Sequence, residues 1–155
     1  MRDDAASMVS GLVRLYTTKL QLLNALLLSE SDKLHYCRSG NLEKAMEIIG
    51  TDGGVIDDID AVDFDIAKEE ASLASLVGTR RKTLYDILRG SGDAVGLIAA
   101  REQVHGTVKT LFEKRKELLG LMETASEEIR NSIDDLSRLS RLKEAGGADD
   151  GRSGR

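Results

Sequence analysis

The two histidines and the acids near them are the first place to look for chemistry. Asp32 and Glu102 stand three residues before His35 and His105. On a helix that spacing puts acid and imidazole on one face, the ligand unit of di-iron centres in helical bundles. With 27 acidic residues in 155, an acid falls three positions before a given histidine by chance about one time in six. A complete centre also needs glutamates from two further helices. His35 sits beside Leu34 near a helix end and His105 sits between Val104 and Gly106, so neither points clearly into a bundle centre. Solvated or edge histidines are expected, with no metal ligands and no cofactor.

Other chemistry has less to start from. The acidic run Asp57 to Asp65 suggests calcium, but an EF-hand-like loop counted from Asp58 needs glycine at its sixth position, where Asp63 stands. A solvated acidic helix face is the expected reading. Cys37 is the lone cysteine, so no internal disulfide forms, and the simpler reading is a reducing, cytoplasmic compartment with a partly buried, inert thiol. Arg80-Arg81-Lys82 and Lys114-Arg115-Lys116 are short basic clusters close to acids, without aromatic interleaving. They read as solvated faces and not as a nucleic-acid surface. A Gly-rich phosphate loop, zinc-finger spacing and a nucleophile elbow are all missing, so no catalytic residue is assigned and an enzyme is not expected.

The elements that position these residues are helices. The chain has no proline at all, which removes the residue that most often interrupts them. Val9, Leu12, Val13, Tyr16, Leu20, Leu23, Leu26, Leu27, Leu34 and Cys37 recur at steps of three and four, predicting a helix over 4–38. Gly40 then supplies a left-handed stop and Asn41 an N-cap. A second stripe, from Leu42 through Ile49, Ile56, Ile59, Ile66, Leu73 and Val77 to Leu88, predicts one long helix over 41–89, with weak points at 50–54 and 78. The phase survives both, since Ile49 to Ile56 and Val77 to Leu84 are each seven residues apart. Gly90-Ser91-Gly92-Asp93 marks a firm break. A third helix follows over 93–144, and residues 145–155 read as a disordered Gly-rich tail.

The fold class is therefore all-α: an elongated antiparallel helical bundle or coiled coil of about three long helices in a single domain, 1–144. Lys19, Glu30 and Asp63 fall on would-be heptad core positions, which argues for a loose bundle over a strict parallel zipper. Net charge of −5 and five aromatic residues argue against nucleic acid. The densest apolar stretch, Leu22 to Leu28, is far shorter than the ~20 residues of a membrane span.

What remains is surface. Between Leu111 and Leu142 the final helix has more apolar residues than a single stripe needs, which predicts that something else covers part of it. The pattern Leu22-Leu23-Asn-Ala-Leu-Leu-Leu-Ser-Glu30, followed by Leu34 through Ser39-Gly40-Asn41-Leu42-Glu43-Lys44-Ala45-Met46 and then Ile49, Ile56 and Ile59, resembles the FlgN class of flagellar export chaperones over roughly residues 12–66. Its final helix carries Asn131 alone where members often pair asparagines, and its tail has no tyrosine. The resemblance implies a non-enzymatic chaperone that holds the C-terminal amphipathic helix of hook–filament junction proteins before type III export. By the same resemblance the partner-binding face is the final helix, at Leu111, Leu118, Leu121, Met122, Ala125, Ile129, Ile133 and Leu136. The alternatives are a scaffolding coiled coil acting by homo-oligomerisation and, third, a metal-binding helical bundle.

Overall fold

The computed structural model describes residues 3–149. Among them the regular elements are helices, without strands: α1 (Asp3–Arg38), α2 (Leu42–Thr51), α3 (Gly53–Val77), α4 (Leu84–Leu88) and α5 (Val95–Asp149). Single tight helical turns, Arg81–Thr83 and Gly92–Ala94, precede α4 and α5. The chain divides into two units, Met1–Leu118 and Leu119–Arg155, and the division falls inside α5. No helix among the described residues is long and apolar enough to cross a membrane.

The first helix and its exit follow the sequence reading. Gly40 adopts φ +80°, and the amides of Gly40 and Asn41 donate back to the carbonyls of Cys37 and Tyr36, satisfying two of the free carbonyls at the end of α1. Asn41 Oδ1 then accepts from the Lys44 amide at 3.2 Å and caps α2.

The segment expected as a long helix over 41–89 with weak points at 50–54 and 78 is divided at both of them. The first break is at Asp52, whose side chain is buried and ion-paired to Lys33 of α1 at 2.6 Å. The second is at Gly78, which takes φ +78°, with the amides of Gly78 and Thr79 donating to Ser75 and Ala74. Seven-residue spacing keeps its phase whether or not the backbone between is helical, so periodicity alone could not expose either break. At the other end, α5 runs beyond residue 144 to Asp149, into the stretch expected as tail. Residues 150–155 of that tail lie outside the described residues.

In the first unit α1, α3 and α5 form an up-down-up bundle. Tyr16 and Lys19 of α1 meet Glu70 and Asp63 of α3, while Ser29 meets Asp52, so α1 and α3 are antiparallel. Arg115 of α5 reaches Glu30, and Arg101 lines a cavity with Tyr16, so α5 runs parallel to α1. The core is built from residues seven apart: Val9, Tyr16 and Leu23, with Ala5, Leu12 and Leu26 beside them on α1; Ile59, Ile66 and Leu73 on α3; Leu97, Val104 and Leu111 on α5. This is coiled-coil spacing. It explains a core made mainly of aliphatic side chains, which interdigitate between helices without needing aromatic volume.

Two glycine substitutions test the backbone argument in opposite directions. Gly78→Ala forces a β-carbon into the left-handed region and is expected to cost about 1 kcal/mol. Gly106→Ala, inside α5 with nothing within 4 Å of the added carbon, is expected to gain about 0.5–1 kcal/mol. Urea denaturation followed by circular dichroism measures both.

Candidate functional site

Charged side chains enter the first unit at two levels. At the level of Glu30 the carboxylate is fully buried, and Lys33 and Asp52 are almost so. Lys33 Nζ lies 2.6 Å from both Glu30 Oε1 and Asp52 Oδ2. Ser29 Oγ donates to Asp52 Oδ1 at 2.7 Å, and Arg115 Nε donates to Glu30 Oε1 at 3.2 Å. Two buried acids are thus balanced by one lysine and one arginine that come from different helices. Nearer the surface, Arg38 pairs with Glu117. Glu30 Oε2 has no hydrogen-bond partner among the described residues. The cluster holds no nucleophile beyond Ser29, and that hydroxyl is spent on Asp52, so its work is to fix how α1, α5 and the α2–α3 break meet.

At the level of Glu70, Tyr85 Oη donates to Tyr16 Oη at 3.3 Å and Tyr16 Oη to Glu70 Oε2 at 2.9 Å. The other carboxylate oxygen accepts from Arg81 Nε and Nη2 at 3.1 and 3.0 Å. Arg101 of α5 stacks on the Tyr85 ring, its guanidinium carbon 4.0 Å from the centroid. Burial, before any neighbouring charge, pushes both phenols above the ordinary value. His105, at the edge of this cluster, is held below the ordinary imidazole value by burial first and by Arg101 and Lys19 next. His35 is exposed, edge-on to Tyr36 at 5.3 Å.

The two acid–histidine pairs do not converge. His105 lines a cavity with Tyr16 and Lys19, whereas His35 lies sixteen residues beyond Lys19 on α1, about 24 Å along the helix. Among the described residues no group of three or more His, Cys, Asp or Glu side chains is placed to hold a metal ion. Burial raises the Cys37 thiol, which disfavours its reactive form. The basic clusters are only partly solvated faces, because Arg81 and Arg115 turn to Glu70 and Glu30. The buried acids Glu30 and Glu70 have no motif, but Glu30 had already stood out as a charge on the apolar stripe of its helix.

The expected partner-binding face divides between the two units. Leu111 and Leu118 are buried, 8% and 5% exposed. Leu111 lines an apolar groove of the first unit with Leu23, Leu26, Ile59 and Val108. Leu111 belongs to the hydrophobic core of the first unit, and Leu118 is buried at that unit's end. In the second unit Leu121, Met122 and Ala125 are half-buried. Ile129, Ile133 and Leu136 are 51%, 55% and 63% exposed, and Leu119 and Leu139 are each 61% exposed. The buried series Leu97, Val104, Leu111, Leu118 continues in sequence as Ala125, Ser132 and Leu139, and beside it run Met122, Ile129 and Leu136. Coiled-coil spacing thus persists where the apolar side chains are open. Over residues 123–135, Glu123, Glu127, Glu128, Asp134 and Asp135 stand with Arg130 alone, a net of four negative charges; Arg138 follows.

No family model matches the chain, and no curated protein and no solved structure matches it either.

The buried charges yield two expectations. Glu30→Ala leaves the buried Lys33 ammonium with one of its two carboxylates and is expected to cost about 3–5 kcal/mol, against about 1 kcal/mol for Arg115→Ala, whose side chain is 40% exposed. Equilibrium denaturation compares the two. In an alkaline titration at 295 nm, Tyr16 and Tyr85 should remain un-ionised above the ordinary phenol value of 10.0 until the bundle unfolds.

Proposed function

We propose that the chain is a cytoplasmic, non-enzymatic chaperone of the flagellar export class, which captures an amphipathic helix of its export substrate on residues 119–139 of α5. One observation carries this reading: the exposed aliphatic residues Leu119, Ile129, Ile133, Leu136 and Leu139 on a helix whose apolar positions keep coiled-coil spacing. A soluble helix that keeps such residues open gains by covering them. Covering each half-exposed side chain contributes on the order of 1 kcal/mol, with a similar return from the partner's own apolar face. Set against the several kcal/mol lost to association, this gives micromolar binding, reversible enough for a protein that must hand its cargo on.

Charge selects the partner. Five acids and one arginine over 123–135 favour a helix whose apolar stripe is flanked by Lys and Arg. A second copy laid antiparallel would bring like charges together at Glu128 and Asp135. The C-terminal helix of a hook–filament junction protein, which the sequence resemblance names, is the cargo to test. The apolar edge of such a helix is what self-assembles in a filament, so holding it would delay assembly until export.

The test is titration of a fluorescent peptide of that helix into the full chain. Wild type is expected to bind at micromolar concentration, and Ile133→Asp to bind at least tenfold more weakly with its urea midpoint unchanged, because Ile133 is exposed. Binding that survives the double change Ile129→Asp and Ile133→Asp would overturn the proposal. Concentration-dependent self-assembly in sedimentation, with no peptide binding, would return the scaffolding alternative.

A further inference from the structure

The first unit holds an open cavity of about 620 Å³ where the end of α3, the Arg81–Thr83 turn, α4 and α5 meet. Arg81, Lys82, Arg89 and Arg101 line it with Glu70 and Asp86, leaving two net positive charges in a chain whose total is −5. These cations are not equally committed. Arg81 is held by Glu70 at 3.0 Å. Arg89 is 3.9 Å from Asp86, and both are mostly exposed, a contact of little worth in water. Lys82 makes no ion pair among the described residues. Arg101 is half-buried against the Tyr85 ring, which balances part of its charge but accepts none of its five N–H groups. Among the described residues no acceptor meets them.

We propose that this cleft binds a small phosphorylated molecule of the di- or triphosphate class, with Arg101 as the central donor and Lys82 and Arg89 closing on the same anion. The platform is fixed before a ligand arrives. Tyr85 is tied through Tyr16 to Glu70, and α5 carries Arg101 onto the ring. Preorganised donors bind with less ordering cost. The one buried carboxylate nearby does not repel an anion at full strength, because Arg81 and Tyr16 already engage both its oxygens. A second cavity of about 380 Å³ shares Glu70, Arg81 and Arg101 and adds Lys19 with its ion-pair partner Asp63, so it adds no net charge to the cleft. Two or more uncommitted cations around one opening match a multiply charged phosphate better than a single carboxylate.

Calorimetric titration of the full chain with sodium pyrophosphate tests this, with citrate as the carboxylate arm. Saturable pyrophosphate binding below about 1 mM is expected. Arg101→Met keeps an unbranched stem over Tyr85 while removing the donors, and should weaken binding about tenfold or more, the worth of one charge-assisted hydrogen bond. Lys82→Gln should weaken it less. Thermal melts of both variants without ligand show whether the fold persists, and in folded wild type pyrophosphate should raise the midpoint. Ile133→Asp should leave pyrophosphate binding unchanged, so this site and the helix-binding reading fail independently. No saturable heat below about 10 mM, equal binding by Arg101→Met, or citrate binding tighter than pyrophosphate would each overturn the proposal.

Discussion

Burying the Glu30 carboxylate is the constraint from which most of the first unit follows. A lone carboxylate cannot leave water at tolerable cost. Lys33, one turn on, supplies a counter-charge from the same helix, and its second partner, Asp52, must then come inward from the next segment. A residue drawn in at that point interrupts the helix that apolar periodicity would otherwise carry through, so α2 and α3 separate there. Arg115 completes the balance from α5, and because it has one place to bind, it fixes the height at which α5 lies beside α1. Aliphatic seams alone would allow a slip by one heptad, since Leu97, Val104, Leu111 and Leu118 are nearly interchangeable as knobs. The charged contacts are what make the alternatives unequal.

Glu70 repeats the logic fourteen residues up α5, where Arg101 stands two heptads before Arg115. Here the acid takes a phenol from α1 and an arginine from the turn after α3, which leaves Arg101 to stack on Tyr85. Lys19 and Asp63 form a third cross-link between α1 and α3 at 2.6 Å. Each of these groups occupies a position along a helix where an aliphatic residue would have served packing equally well. Beyond Leu118 the pattern changes: the same heptad positions carry Met122, Ala125, Ile129, Ser132, Leu136 and Leu139, with no ionisable side chain among them. A seam without charged keys specifies little about the register of any helix laid against it.

How much of this the sequence disclosed depends on range. The helices, the Gly40–Asn41 turn and the firm break before α5 were legible because each rests on residues within one or two turns. Lys19, Glu30 and Asp63 were visible as charges on apolar stripes, and that anomaly was the trace of the buried contacts. Their partners were not visible, because Arg115 and Glu30 are 85 positions apart and nothing local distinguishes Arg115 from Lys114 and Lys116. The burial of Leu111 and Leu118 was hidden for a related reason. An apolar residue on a long helix looks the same in sequence whether its neighbours cover it or stop short, and only the fold says where coverage ends. The break at Asp52 lies in the glycine-bearing stretch 50–54 that was marked as a weak point, while the seven-residue step from Ile49 to Ile56 left open whether the helix continued through it.

Charge is also distributed in a way that the total conceals. The chain's net of −5 combines a cavity with two net positive charges in the first unit and a stretch with four net negative charges in the second. Screening at physiological salt acts over about 8 Å, so a ligand at either place responds to the local balance and not to the sum. The composition therefore carried no information about a cleft of this size. The acidic apolar seam and the cationic cleft differ in local charge, and the ligands proposed for them differ accordingly.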